Sequence, residues 1–381
     1  MELGLIHAPL AGYFGLIAYL AATVTPKVFR TKQTTASLAF LGLAATSLLV
    51  TWTYMGLYFQ HSYRAAALER GVPPSLFSTK QWLEDVSLFN EAWGYVCDKA
   101  ERWWWSEQLC YWTVGPLAML FAIEGRRRGV KKLWAFMLLG QVVAISFAQS
   151  LFFAAVALTP VSLPRAPARG QRLGPPPGQT WLLVGSAVLG AIGTCLIPAR
   201  VSTPYFLPLL LGIHVFSVLP MFDSMVFQKP IQLPPSRFYF NFAFIALRLR
   251  WDTLAQLVDT TSFTTAPREV PALVVGLLRR EANVLVSHPA QSSISFDVVF
   301  ASLSAVVFMW YDKSIQPAFD LEVPTSLVAL LTVATPIVGV QSSVGMYLAI
   351  REGKREAREQ NEMRLAQEEE EDDAKEGKKD K

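Results

Sequence analysis

Long uncharged apolar runs constrain the fold of this chain more than any other feature. They lie at 8–26, 35–60, 108–123, 133–159, 180–199, 201–222, 298–311 and 323–350. A helix needs about 20 mostly apolar residues to cross the hydrocarbon core of a bilayer. An aromatic run at 231–249 supplies a weaker ninth candidate. The pattern predicts an all-α, polytopic transmembrane helix bundle of eight or nine spans, with nine preferred.

Charge is concentrated at the C-terminus. Residues 351–381 hold 21 of the chain's 64 charged residues. Composition therefore divides the chain into a transmembrane bundle, 1–350, and a charged cytosolic tail, 351–381. Over the whole chain 17% of residues are charged, against about a quarter in soluble proteins. Such an apolar body is not disordered, three cysteines cannot form a disulfide scaffold, and scattered charges argue against nucleic-acid binding.

Two basic turns set the expected orientation. Lysines and arginines cluster in the turns 25–34 and 124–132, and two spans separate these turns. Short loops rich in Lys and Arg remain in the cytosol, so both turns should be cytosolic. The N-terminus and the segments 61–105 and 160–179 are then luminal. Nine spans would also place a further set of arginines in the cytosol: Arg248, Arg250, Arg268, Arg279 and Arg280.

The end of the tail predicts a location. The sequence finishes Lys378-Lys379-Asp380-Lys381, which resembles the dilysine signal that coat proteins bind on cytosolic tails of endoplasmic-reticulum membrane proteins. Such a signal is an address read by a receptor and not an anchor. We therefore expect a multi-pass protein of the endoplasmic reticulum. The alternative is that these lysines simply end a Lys/Glu-rich helix.

The densest chemical constellation lies at the expected luminal interface. Phe89-Asn90-Glu91-Ala92-Trp93 is followed by Trp103-Trp104-Trp105-Ser106-Glu107-Gln108-Leu109-Cys110-Tyr111-Trp112. Aromatic faces attract cations, and a carboxyl group in an apolar wall holds its proton more readily than an exposed one. This combination suits protonation of an alkene or epoxide followed by shelter of the carbocation. The alternative is that the aromatic residues only anchor the chain at the interface.

These residues receive provisional roles. Glu107 is predicted to be the proton donor, with Asp223 and Glu91 as supporting acids. The expected cation-stabilising and substrate-binding residues are Trp103, Trp104, Trp105, Tyr111 and Trp112. His214, inside the sixth run, is expected to be a hydrogen-bonded interior residue. Glu124 should pair with the arginines at 126–128, and Gln141 and Gln149 should bond across helices.

Cofactor signatures are missing from the sequence. No H-E-x-x-H, C-x-x-C or histidine cluster occurs, so no metal is expected. The sequence also contains no Walker A or Rossmann fingerprint. Asp372-Asp373 imitates an aspartate-rich diphosphate–magnesium motif, but it lies in a solvated, charged tail. Chemistry that begins by protonation is therefore favoured over ionisation of a diphosphate, and no cofactor is expected.

The stretch at 105–112 after Phe89-Asn90-Glu91, with the size and multi-span layout, resembles the fungal membrane-bound terpene cyclases of the ascofuranone and macrophorin type. The resemblance implies cyclisation of a farnesyl chain, often attached to an aromatic or quinone-like unit, after protonation of an alkene or epoxide. The bundle would then be catalytic and its partner a lipophilic prenylated (meroterpenoid) substrate. The acidic tail departs from the family pattern. The alternatives are a non-catalytic lipid- or sterol-binding protein, a transporter, and a sterol-isomerase-like enzyme.

Overall fold

The computed structural model describes residues 8–30, 32–159, 180–222, 233–258, 268, 270–316 and 321–379, and within these ranges the chain is helical without β-strands. The helices are α1 Ala8–Arg30, α2 Thr35–Glu69, α3 Thr79–Asp85, α4 Leu88–Cys97, α5 Ala100–Trp112, α6 Ala118–Arg127, α7 Leu133–Val142, α8 Ile145–Ala157, α9 Trp181–Leu196, α10 Phe206–Val218, α11 Pro235–Leu254, α12 Val270–Leu285, α13 Pro289–Ile315, α14 Thr325–Val338 and α15 Val340–Lys379. The all-α prediction is confirmed.

Local sequence explains where several helices begin. Thr34 and Ser37 form a reciprocal capping box at the start of α2. The Thr180 hydroxyl caps α9 by accepting from the Leu183 N–H. Pro289 occupies the first turn of α13, where the missing N–H of proline is harmless. Between α5 and α6 the backbone widens into a π-helical turn, Thr113–Leu117, around Pro116, which cannot donate a regular helical hydrogen bond.

Two buried clusters mark the opposite ends of the bundle. At the tryptophan end, the Arg250 guanidinium lies 3.8 Å from the centre of the Trp104 ring. At the arginine end, Arg127 binds Glu352 at 2.8 Å. The continuous rod formed by α5, the π-turn and α6 runs from the first end to the second, because Trp104 and Arg127 lie near its two termini.

Contacts with α15 reverse the expected direction of α11. At the start of α11 the Ser236 N–H bonds to Glu356 at 3.0 Å, near the arginine end. At its finish Arg250 donates to the Ile337 carbonyl at 2.7 Å. The prediction that Arg248 and Arg250 lie on the same side as the basic turn 124–132 is therefore wrong.

Helix α12, which carries Arg279 and Arg280, also lies at the tryptophan end. Arg280 on this helix donates to the Leu257 carbonyl, just after α11. Leu277 packs with Trp104 and Leu254. The prediction that Arg279 and Arg280 lie on the side of the basic turns is wrong for the same reason, since the chain reaches α12 from the other end of α11. Arg268 is described only as a single residue between undescribed neighbours.

The run 133–159 does not form one pass. Helices α7 and α8 fold back on each other, with the Phe136 and Phe152 rings 5.9 Å apart. Arg128 donates to the carbonyls of Val156 and Thr159, so the chain leaves α8 at the arginine end, where it entered α7. The tip, 142–144, lies inside the bundle. The single-span prediction is wrong here, and residues 160–179, predicted to be luminal, lie outside the described residues.

The run 323–350 contains two helices instead of one span. Gly339 separates α14 from α15 with φ +82°, a conformation that glycine adopts without the steric cost of a side chain. Pro336 lies one turn earlier. The single-span prediction is therefore wrong for this run as well, and the expected total of eight or nine membrane spans stays a prediction.

The bundle places apolar side chains outside and many polar ones inside. Leu49 and Val333 are 70% and 78% exposed, although each lies in an apolar helix. Gln149, Gln291 and Ser304 are fully buried. Two helices, α2 and α13, are long and apolar enough to span a membrane. Six further apolar segments of the described chain are shorter.

Candidate functional site

A cavity of about 800 Å³ occupies the half of the bundle nearest the tryptophan end. Its wall is formed by α2, α4, α5, α10, the start of α13 and the tip of the α7–α8 pair. Ligand cavities in proteins commonly range over about 300–1,000 Å³ and combine an apolar wall with a few polar groups. The volume lies in the upper part of that range.

Aromatic side chains form one side of this cavity. Those in its wall are Tyr13, Tyr58, Phe59, Phe89 and Trp93. Phe89 and Trp93 place their rings edge to face with His214, at 5.7 and 6.4 Å between ring centres. The sequence segment 89–93 therefore does contribute to an aromatic wall, through its first and last residues.

Asp297 is the buried carboxyl group of the cavity wall and is 6% exposed. Its two oxygens accept from the backbone N–H groups of Ile145 and Ser146 at 3.0 and 2.7 Å. These are the first N–H groups of α8, which have no partner within the helix. Asp297 thus holds the tip of the α7–α8 pair against α13. In the sequence it lies directly before the apolar run 298–311.

His214 presents an acceptor to the same cavity. Its Nδ1 lies 2.7 Å from the Leu210 carbonyl oxygen. Since a carbonyl can only accept, Nδ1 carries the proton, and a neutral ring then has a lone pair on Nε2. The prediction of a hydrogen-bonded interior histidine is confirmed, and the structure adds its position in the cavity wall.

Two further polar residues lie in the wall. Gln141, near the tip of the folded-back pair, donates to Ser217 at 2.8 Å. Glu84 is exposed and lies at the outer part of the lining. Gln149, the other glutamine of that run, bonds to Trp112 and Ser304 across helices. The expected cross-helix bonding of both glutamines is confirmed.

Glu107 is buried, at 1% exposure, but it does not line the cavity. Its carboxylate lies 3.5 Å from Arg250 and accepts from the Thr253 hydroxyl at 3.0 Å. The sequence suggested an acid surrounded only by aromatic residues. Because α11 ends at the tryptophan end, an arginine is instead brought to this acid from 143 residues away.

Of the two predicted supporting acids, only Glu91 lies among the described residues, and its hydrogen bonds go to α2 and not to Glu107. It accepts from Tyr58 and Ser62 at 3.0 and 2.8 Å, at the exposed side of α4. Asp223 lies outside the described residues. The chain before it reaches the arginine end, where Arg126 donates to the Pro220 carbonyl. The sixth run therefore ends at the arginine end, whereas Glu107 lies at the tryptophan end beside Arg250.

The five predicted cation-stabilising residues pack in the protein interior, and none belongs to the described lining of the cavity. Trp104 is fully buried beneath Arg250, and Trp112 donates to Gln149 at 2.6 Å. Trp103 and Tyr111 are core residues, and Trp105 is half-buried against the core. Consecutive tryptophans on a helix point in different directions, but here the cavity faces Leu109, Cys110 and Thr113.

Among the described residues no three His, Cys, Asp or Glu side chains come together as a metal site. Comparison of the chain with models of known protein families, with curated proteins and with solved structures finds no match.

Proposed function

We propose that this chain is an integral membrane protein that binds a lipophilic prenylated molecule in the cavity and cyclises it through a carbocation formed by protonation. The observation that carries the proposal is an aromatic-lined cavity of about 800 Å³ with one buried carboxyl group and one histidine acceptor in its wall. The resemblance to the ascofuranone- and macrophorin-type cyclases leads to the same reaction class.

The polarity of the bundle supports insertion in a membrane. Helix surfaces expose large apolar residues such as Leu330 and Phe244, at 63% and 61%. Polar residues face inward, where they bond across helices, as in membrane bundles. The tip of the α7–α8 pair is non-helical backbone at the depth of the cavity. Such backbone is tolerated in a membrane only within protein or beside a cavity, and Asp297 accepts from the first two N–H groups of α8, directly after the tip.

Asp297 is the group we assign as proton donor. A carboxyl proton can pass from its cavity side to a substrate alkene or epoxide. The carboxylate that remains is stabilised by the Ile145 and Ser146 N–H groups. Stabilisation of the conjugate base lowers the free energy of the ion pair formed with the carbocation. The assignment of this role to Glu107 is withdrawn, because Glu107 does not reach the cavity.

Other residues of the cavity wall can stabilise the carbocation and remove the final proton. Rings of Phe89 and Trp93 attract a cation by about 0.5–2 kcal/mol each. The Nε2 lone pair of His214 can then remove a proton from the cyclised cation. One proton enters the substrate and one leaves it, so the product is an isomer of the substrate with identical mass.

The test is incubation of membranes containing the chain with a farnesylated phenol or its terminal epoxide. Asp297→Asn should lower formation of the isomer by about 100-fold or more, the usual scale for a general acid. Glu368→Gln, which removes an acid of the exposed tail, is the control and should retain turnover.

Folding of the variant is checked separately. A saturated, unreactive analogue should still bind to Asp297→Asn, since the asparagine oxygen can accept one of the two N–H groups. Near-normal cyclisation by Asp297→Asn would exclude the proposed acid. Tight binding by the wild type without any isomer would support a lipid-binding protein instead.

A further inference from the structure

Several polar atoms at the tryptophan end are buried without a hydrogen-bond partner among the described residues. They are Nη2 of Arg250, both carboxylate oxygens of Glu281, both amide atoms of Gln341, and the indole nitrogens of Trp104 and Trp105. Glu281, Arg250 and Gln341 are at most 2% exposed. A buried polar group that is left unpaired is unfavourable. Such a group of donors and acceptors is what buried water molecules ordinarily satisfy.

Charge at this end is also unbalanced. Glu107 and Glu281 both interact with the one buried guanidinium of Arg250. The other charged groups that face Glu281 are Arg280 on its own helix and Glu101 on α5. A buried carboxylate without a partner is strongly unfavourable, and binding a proton removes the charge. Burial raises the pKa of Glu281 to about 8, so this carboxyl group holds a proton at neutral pH.

The cluster is next to the cavity. Cys110 lies in the cavity wall, one helical turn after Glu107. Its thiol is within electrostatic range of both Glu107 and Asp297. Glu107 therefore lies between the Arg250–Glu281 cluster and the acid assigned to the cavity.

We propose that Glu281 and Glu107 form a proton-entry path that restores the proton of Asp297 after each cyclisation. This inference rests on the proposed function. In each cycle Asp297 loses one proton to the substrate, and His214 takes one and releases it to water. The path delivers one proton from water at the tryptophan end to Glu281, then through the hydrated Arg250 cluster to Glu107, and finally to the Asp297 carboxylate. No oxidant or other co-reactant is needed.

The test separates the first turnover from later ones. Rapid mixing of Glu107→Gln with a farnesylated phenol should give a first turnover within about 2-fold of the wild type, because Asp297 starts protonated. Steady-state turnover should fall by about 100-fold, and Glu281→Gln should show the same split. Glu368→Gln, in the exposed tail, is the control and should show neither effect.

Other results would overturn the path. Unchanged steady-state turnover in both variants would mean that His214 returns its proton directly to Asp297. Loss of the first turnover in Glu107→Gln would make Glu107 the acid itself.

Infrared spectroscopy gives a readout that does not depend on activity. The wild type at pH 7 should show C=O absorbance from protonated carboxyl groups, and the part that is due to Glu281 should be lost in Glu281→Gln. If Glu281→Gln kept all of this absorbance, Glu281 would not hold a proton at pH 7. If the wild type yielded no isomer at all, the proposed function would be refuted, and the infrared measurement would still test the protonation of Glu281.

Discussion

The two ends of the bundle differ in how their buried charged groups are paired. At the arginine end each buried carboxylate is paired, since Glu124 binds Arg128 at 2.6 Å and Glu352 binds both Arg127 and Arg351. At the tryptophan end two carboxyl groups share one arginine, and many polar atoms have no partner. Carboxylates that are all paired fix the positions of helices, whereas carboxyl groups that share one arginine remain available to take up and release protons.

The buried ion pairs at the arginine end therefore hold helices together, and we call them the clamp. Arg351 on α15 bonds to Asp312 on α13 at 3.1 Å and to Glu124 on α6 at 3.4 Å. Three passes meet at this one guanidinium. Glu124 also pairs with Arg128, as the sequence predicted.

Breaking the clamp should have the largest effect on stability. Arg351→Met leaves its carboxylate partners buried with less compensation, so the free energy of unfolding should fall by about 3–5 kcal/mol. Denaturation in detergent measures this loss. Arg364→Met, in the exposed part of the same helix, is the control and should change little. If Arg250→Met proves as destabilising as Arg351→Met, the two ends do not differ in the way described.

The pH dependence of stability tests whether the tryptophan end holds a protonated carboxyl group. Glu281 keeps its proton in the folded state up to a pKa of about 8, whereas an unfolded glutamate loses it near pH 4.3. Its contribution is fully present below the unfolded pKa and is lost as the pH rises to about 8, by at most about 1.4 kcal/mol per pH unit.

Glu281→Gln should remove this decline, which melting curves in detergent from pH 5 to 9 would reveal. The free energy of unfolding of the variant should therefore rise relative to that of the wild type as the pH rises. Glu368→Gln, in the exposed tail, is the control. Parallel curves for Glu281→Gln and the wild type would show that Glu281 is already charged at neutral pH.

The experiment with the smallest expected effect on stability determines which side of the membrane each end faces. The basic turn 124–132 and the tail leave the bundle at the arginine end, so that end should be cytosolic. A glycosylation acceptor placed in the turn 71–78, between α2 and α3, should be modified, and one in the tail should not. Stability and turnover should stay unchanged. A glycan on the tail would reverse the orientation, and an acceptor with Asn replaced by Gln is the control.

Some features of the fold could be read directly from the sequence. Apolar runs predicted helices, and Thr34 with Ser37 marked the start of α2. The division of the run 323–350 also had a local signal, because Pro336 and Gly339 interrupt it. Both residues disfavour one uninterrupted helix across this run.

The break in the run 133–159 had no comparable signal. Val142, Val143 and Ala144 contain neither proline nor glycine. The break is stabilised by Asp297, which supplies hydrogen-bond acceptors to the start of α8 from about 150 residues away. A pattern of local hydrophobicity does not contain that contact.

Sequence alone determined the helical class, the apolar surface and the concentration of aromatic and acidic residues at 89–93 and 103–112. Tertiary structure decided which of those residues meet a cavity. The pairing of Glu107 with Arg250 depends on the direction of α11, and the grouping of Asp297 with His214 depends on how α10 and α13 pack. Local propensities and apolar periodicity fix single helices, but the partner of a buried charge is chosen by packing between distant segments, where the cost of leaving it unpaired is largest.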